Sequence, residues 1–206
     1  MSILLIIVAA LGWFALAAQF YLIIENRVAS IPETIIRYFG FFTIVTNIIV
    51  ALCCTFLVIR SRSSIGKFFS KYSTVTAITV YITIVGIVYN LILRSLWKPQ
   101  GLAKLVDELL HTIIPLLFIL IWIIYPKAKI KWINIFTWLM FPFIYLIYIL
   151  IRGTFSGYYP YPFIDVTQLG YSKVFLNSLG MLVVFFVIST IFVGIDRFIK
   201  KEHSFK

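Results

Sequence analysis

The sequence predicts an all-α polytopic membrane protein, with six transmembrane helices in one compact bundle and both termini cytoplasmic. Three observations lead there. Hydrophobic residues make up 62% of the 206 residues and charged residues 12%, with a mean hydropathy of +1.05, well above the apolar share of soluble domains. Six stretches, at about 3–24, 38–59, 72–93, 109–125, 132–151 and 172–195, approach the roughly 20 apolar residues a helix needs to cross hydrocarbon. The basic residues, finally, sort by loop. Eleven of the 18 (Arg60, Arg62, Lys67, Lys71, Lys127, Lys129, Lys131, Arg197, Lys200, Lys201 and Lys206) fall on the side that holds the ends of the chain, and seven on the other. The positive-inside rule then makes the richer side cytoplasmic. The net charge of +11 reads accordingly as a topology and headgroup signal, which disfavours nucleic acid as a partner. A β-barrel would need strands alternating apolar and polar residues instead of unbroken apolar runs.

The first span is not read as a signal peptide, because Met1 and Ser2 supply no basic segment and the apolar run exceeds a typical signal core. In the second span, Cys53 and Cys54 are adjacent, a spacing that fits neither a disulfide framework nor a metal site, so they are read as packing residues. The third span carries a stripe, Thr76, Thr79, Thr83, Gly86, Asn90 and Arg94, at steps of three and four, which places small and polar groups on one helical face turned into the bundle. The fourth opens with "DELLHTIIPL". The longest outer loop, "GTFSGYYPYPFIDVTQLG" from Gly153 to Gly170, joins the fifth span to the sixth and is rich in aromatic residues. Because the spans consume most of the chain, residues 1–206 are expected to form a single domain.

Polar groups at membrane depth cost several kcal/mol when unsatisfied, so each marks a candidate site. Thr43, Asn90, His111 and Asn177 all fall in the outer third of their predicted spans, where the loop bearing Asp165 joins them. His111 is the centre. Asp107 and Glu108 precede it by four and three residues, close enough for one carboxylate to fix the imidazole tautomer. Pro115, four residues later, deprives the His111 carbonyl of its helical partner and predicts a bend. One histidine without HExxH or paired cysteines predicts no metal centre, and there is no GxSxG elbow. A histidine base acting on a hydroxyl nucleophile remains. "FFTIVTN" supplies two hydroxyls, Thr43 and Thr46, and an amide, Asn47, four residues from Thr43 on the same face. Asn47, Asn90 or Asn177 would donate to an oxyanion, while Arg94, Tyr161 and Phe163 would contact substrate.

"FFTIVTN", "DELLHTIIPL" and "YPYPFID" followed by "LG", in this order in a six-span chain, resemble the androgen-induced gene family of membrane proteins, which includes androgen-dependent TFPI-regulating protein and bacterial six-span relatives. The resemblance covers nearly the whole chain. It implies an intramembrane threonine hydrolase whose animal members cleave fatty acid esters of hydroxy fatty acids, and its threonine and histidine match Thr43 and His111. The carboxylates of "DELLH" depart from the family pattern, so an orienting role for Asp107 or Glu108 rests on the spacing alone.

The reading is therefore a cofactor-independent lipid esterase of a bacterial inner membrane, with membrane lipids and a lipid ester as partners. Thr43 would attack, His111 would serve as base, and Asp107 or Glu108 would orient it. The competing reading is a lipid-binding or transport protein in which Arg94, Arg152 and Asn90 hold a headgroup. A structural membrane protein with a satisfied polar core is the third.

Overall fold

A computed structural model describes residues 1–128 and 130–203, with side chains to Phe198. The predicted cytoplasmic Lys129 and Lys206 lie outside the described residues, as do the side chains of Lys200 and Lys201. The described chain is helical throughout, and five of its helices are long and apolar enough to cross a membrane, or six when one sharply bent pair is counted as a single span. It forms two compact units, Met1–Ala128 and Lys129–Lys206.

In the first unit, α1 (Ser2–Glu25) packs mainly on α3 (Phe42–Val58). Small residues allow the approach: a Cβ at Gly12 would sit 3.1 Å from the Cβ of Ala51, and Ala15 and Ala51 are fully buried. Contact of this kind is how helices associate where water supplies no drive. Between them lies α2 (Ile31–Gly40), tied to α1 by the Tyr38 hydroxyl, which donates to Leu16 O at 2.8 Å.

The second predicted span is thus not one straight helix from 38 to 59. The chain turns by 71° between α2 and α3, with Phe41 extended at φ −80° and ψ 124°. Thr43 consequently falls in the first turn of α3, where the sequence placed it five residues inside a span. Cys53 and Cys54 are buried free thiols, as packing residues would be.

The short α4 (Ser64–Phe69), capped by Ser63 Oγ accepting from Gly66 N, leads to α5 (Tyr72–Val88). Thr76 and Thr79 on the predicted stripe are fully buried. Each returns its hydroxyl to its own helix, to Tyr72 O at 2.9 Å and Val75 O at 2.8 Å, the usual habit of threonine in apolar helices.

Two departures from regular helix face each other at the far end of α5. The helix widens into a π-turn at Tyr89–Leu93 and ends in a 3-10 turn at Arg94–Leu96. The next span begins earlier than the apolar run implies: α6 (Gly101–Glu108) passes through a second π-turn, Leu109–Ile113, into α7 (Ile114–Ile124). His111 therefore stands inside a long helix instead of at its start. Where the sequence predicted a bend at Pro115, the helix widens into this π-turn directly before it, and Pro115 stands within the continuous helical segment Gly101–Ile124.

The second unit pairs α8 (Asn134–Ser156) with α9 (Val166–His203), the latter interrupted at Gly170, whose φ of 73° is in the left-handed region. Gly157, also left-handed at φ 66°, closes α8. The aromatic loop between them is packed on its own small core of Ile149, Tyr159, Ile164 and Val174. Gly153 is required there, because a Cβ would lie 2.0 Å from the ring of Tyr159.

Candidate functional site

The paired π-turns gather most of the polar residues singled out in the first unit. Asn90 hydrogen bonds across the gap, its Nδ2 donating to Gly86 O at 2.9 Å and His111 O at 3.2 Å, with Thr112 Oγ1 at 3.5 Å. The carbonyl that Pro115 orphans is thereby satisfied from the neighbouring helix. Gly86 permits the approach: a Cβ there would meet His111 O at 3.2 Å and Pro115 Cβ at 3.4 Å.

His111 is held on two sides. Its Nδ1 lies 2.9 Å from Asp107 O and 3.2 Å from Asp107 Oδ1, and since both are acceptors, the neutral ring carries its proton on Nδ1 and its lone pair on Nε2. Among the described residues Nε2 has no hydrogen-bond partner. The ring stacks on Tyr89, centroids 3.8 Å apart and planes 14° from parallel. The Tyr89 hydroxyl in turn donates to Asp107 Oδ2. Asp107 is only 5% exposed, so both carboxylate oxygens are engaged inside the protein, one by each ring. Tyr89 was invisible to sequence reasoning, one tyrosine among 12, because it lies off the stripe that carries Asn90 and Arg94 and the π-turn that aims it carries no motif.

Of the two carboxylates left open by spacing, Asp107 is the one that orients His111. Glu108 pairs instead with Arg94, whose guanidinium also donates to Asn90 Oδ1. The predicted headgroup or substrate contact Arg94 is thus neutralised within its own helix pair.

The predicted nucleophile region lies on α3. Thr43 is buried at 9% exposure and Thr46 at 0%. Asn47, also fully buried, donates to Thr43 O at 2.9 Å and to Leu110 O at 3.2 Å, which anchors the first turn of α3 to the π-turn that carries His111. Both amide hydrogens of Asn47 are spent on carbonyls, as are those of Asn90, so neither is poised as an oxyanion donor. Its Oδ1 and the Thr46 hydroxyl are buried without a hydrogen-bond partner.

A cavity of about 290 Å³ opens beside His111 between α5 and α7. Asn90, Thr112 and Thr83 line it together with His111, and Ile87, Leu91, Leu116 and Ile119 form its apolar wall. Thr43 and Thr46 are not among its lining residues; they stand on the α3 side of the same π-turn.

The remaining site residues belong to the second unit, and each has a local task. Asp165 caps α9, Oδ1 accepting from Thr167 N at 2.9 Å, Thr167 Oγ1 at 2.6 Å and Gln168 N at 3.3 Å. Asn177 Nδ2 donates to Phe163 O at 2.9 Å, fastening the loop to α9. Tyr161 and Phe163 stack at 5.3 Å, and the Arg152 guanidinium lies over the Tyr158 ring at 5.5 Å.

Among the described residues, no three His, Cys, Asp or Glu side chains converge as metal ligands would. Compared with family models, curated proteins and solved structures, the chain matches none.

Proposed function

We propose that this chain is an intramembrane ester hydrolase acting on lipids, with His111 as general base and Thr43 as nucleophile. The observation that carries the reading is the state of His111. Its Nδ1 is fixed by Asp107, its Nε2 has no hydrogen-bond partner among the described residues, and the residue lines a cavity. A buried carboxylate behind one ring nitrogen and an available lone pair at the other is the arrangement by which imidazole accepts a hydroxyl proton as attack proceeds and returns it to the leaving alkoxide. The resemblance to the androgen-induced gene family selects Thr43 as the attacking group, and the Asn47 bond to Leu110 O keeps the first turn of α3 against the His111 segment. In this reading the chain crosses a bacterial inner membrane six times with both ends in the cytoplasm, so that the site lies toward the outer leaflet and apolar chains remain in hydrocarbon while the ester reaches His111.

A second reading, lipid binding without turnover, is favoured by one specific feature: the cavity at His111 is lined by Thr83 and Thr112 but not by Thr43 or Thr46. The experiment that separates the two is hydrolysis of a panel of long-chain esters by purified protein and by Thr43→Ala and His111→Ala variants. Loss of at least about 100-fold in both variants is the expected result, the usual scale for removing a general base. Full activity in the folded variants sinks the assignment of Thr43 and His111 as nucleophile and base, and absence of activity in every form moves the assignment to binding.

A further inference from the structure

The threonine stripe of α5 divides in a way that the hydrolase reading does not use. Thr76 and Thr79 satisfy themselves on backbone carbonyls one turn back. Thr83, next on the same face, does not: its Oγ1 is covered and has no hydrogen-bond partner among the described residues, although the residue lines the cavity. A hydroxyl left unmade in an apolar environment costs roughly 1–3 kcal/mol, and the back-bond that would relieve it is available to any helical threonine. Threonine in a helix occupies two χ1 wells, so a single rotation exchanges methyl for hydroxyl at the cavity wall and offers a donor there. It is one of few: the amide hydrogens of Asn90 are already committed to carbonyls, which leaves the hydroxyls of Thr83 and Thr112.

The rest of the cavity specifies what such a donor would meet. Leu91 is 80% exposed and Leu116 61% exposed, and both lie within helices apolar enough to cross a membrane, so the mouth opens sideways to hydrocarbon. From His111 to Ile119 the wall follows eight residues of one helix, about 12 Å, and it is apolar beyond Thr112. Thr83 stands one turn from Gly86, which abuts the His111 carbonyl. We infer that this groove binds one acyl chain of a membrane lipid from the side, with the chain against Ile87, Leu91, Leu116 and Ile119 and an ester oxygen accepting a hydrogen bond from Thr83. The inference rests on the reading of the His111 cavity as a lipid site and deepens it by naming the acyl chain and its donor, and it does not depend on which threonine is the nucleophile.

The test is photolabelling of the full chain in lipid nanodiscs with a long-chain fatty acyl methyl ester bearing a terminal diazirine, followed by mapping of the labelled peptides. Label is expected on the segments containing Leu91 and Leu116–Ile119, reduced about fivefold in Thr83→Val, as for loss of one neutral hydrogen bond, and retained in Thr83→Ser. Leu116→Trp, at the exposed mouth, blocks labelling without touching the interior and carries the test if Thr83→Val fails to fold. Equal labelling of Thr83→Val and wild type, or label confined to other helices, overturns the site. Ester turnover measured on the same preparations keeps the two readings apart. Labelling without turnover in wild type removes the hydrolase and leaves the groove, whereas turnover with a KM unchanged by both Thr83→Val and Leu116→Trp removes the groove and leaves the hydrolase.

Discussion

The polar residues around the two π-turns and those around the aromatic loop look equally conspicuous in the sequence, yet they are used differently. In the loop, Asp165 and Asn177 direct their polar atoms at backbone groups close by, capping α9 and fastening Phe163. At the π-turns, Asp107, Tyr89, Asn90 and Glu108 bond to one another's helices, and they leave His111 Nε2 without a hydrogen-bond partner among the described residues. A carboxylate before a helix and a carboxylate before a histidine have similar sequence signatures. The difference lies in whether the bonds terminate locally or orient a group that remains available.

The same chemical change in the two regions sharpens this contrast. Asp107→Asn presents an amide to His111 Nδ1 and to the Tyr89 hydroxyl, which disturbs the tautomer; ester turnover is expected to fall by at least about 100-fold while the protein stays folded. Asp165→Asn should leave both turnover and melting temperature nearly unchanged, because Asn caps a helix about as well as Asp. Parallel turnover assays and melting curves in detergent decide the matter, and equal losses in both variants would erase the distinction.

Gly153→Ala is next in size. It drives a methyl into the Tyr159 ring, and overpacking of this kind costs about 1–3 kcal/mol. Thermal unfolding should report the loss, and turnover per folded molecule should not change if the loop is scaffold. A matching loss of turnover would make the loop part of the site. Smaller than that is the effect of Asp165→Ala, which removes the cap and is expected to cost about 1 kcal/mol, read as a lower melting temperature with turnover per folded molecule retained.

The long helices were legible because apolar runs near span length leave few alternatives. That a carboxylate would reach His111 was legible, because steps of three and four both bring side chains together on a helix, but the choice of Asp107 over Glu108 was not. The turn at Phe41 was not, since an apolar run reads the same whether it continues or folds over, and Gly40 was the only local hint of a break. The preference of Glu108 for Arg94 was hidden for another reason: Arg94 lies on a different helix, and side-chain spacing speaks only within one. The expected oxyanion amides failed on satisfaction. Asn47 and Asn90 are where the sequence placed them, but their hydrogens are spent on carbonyls across the helix contacts.

The two π-turns also make the site sensitive to chain length. Each spends five residues where an α-helix closes its bond in four, so each behaves as a single inserted residue. Removing one residue from Tyr89–Leu93 or Leu109–Ile113 would restore a regular helix and keep its flanks in register, but the residues of the turn itself would be redirected by up to about 100°. Asn90 or His111 would then leave the gap, although no functional side chain had been substituted. In this part of the protein the spacing of the chain is as much a component of the site as the residues themselves.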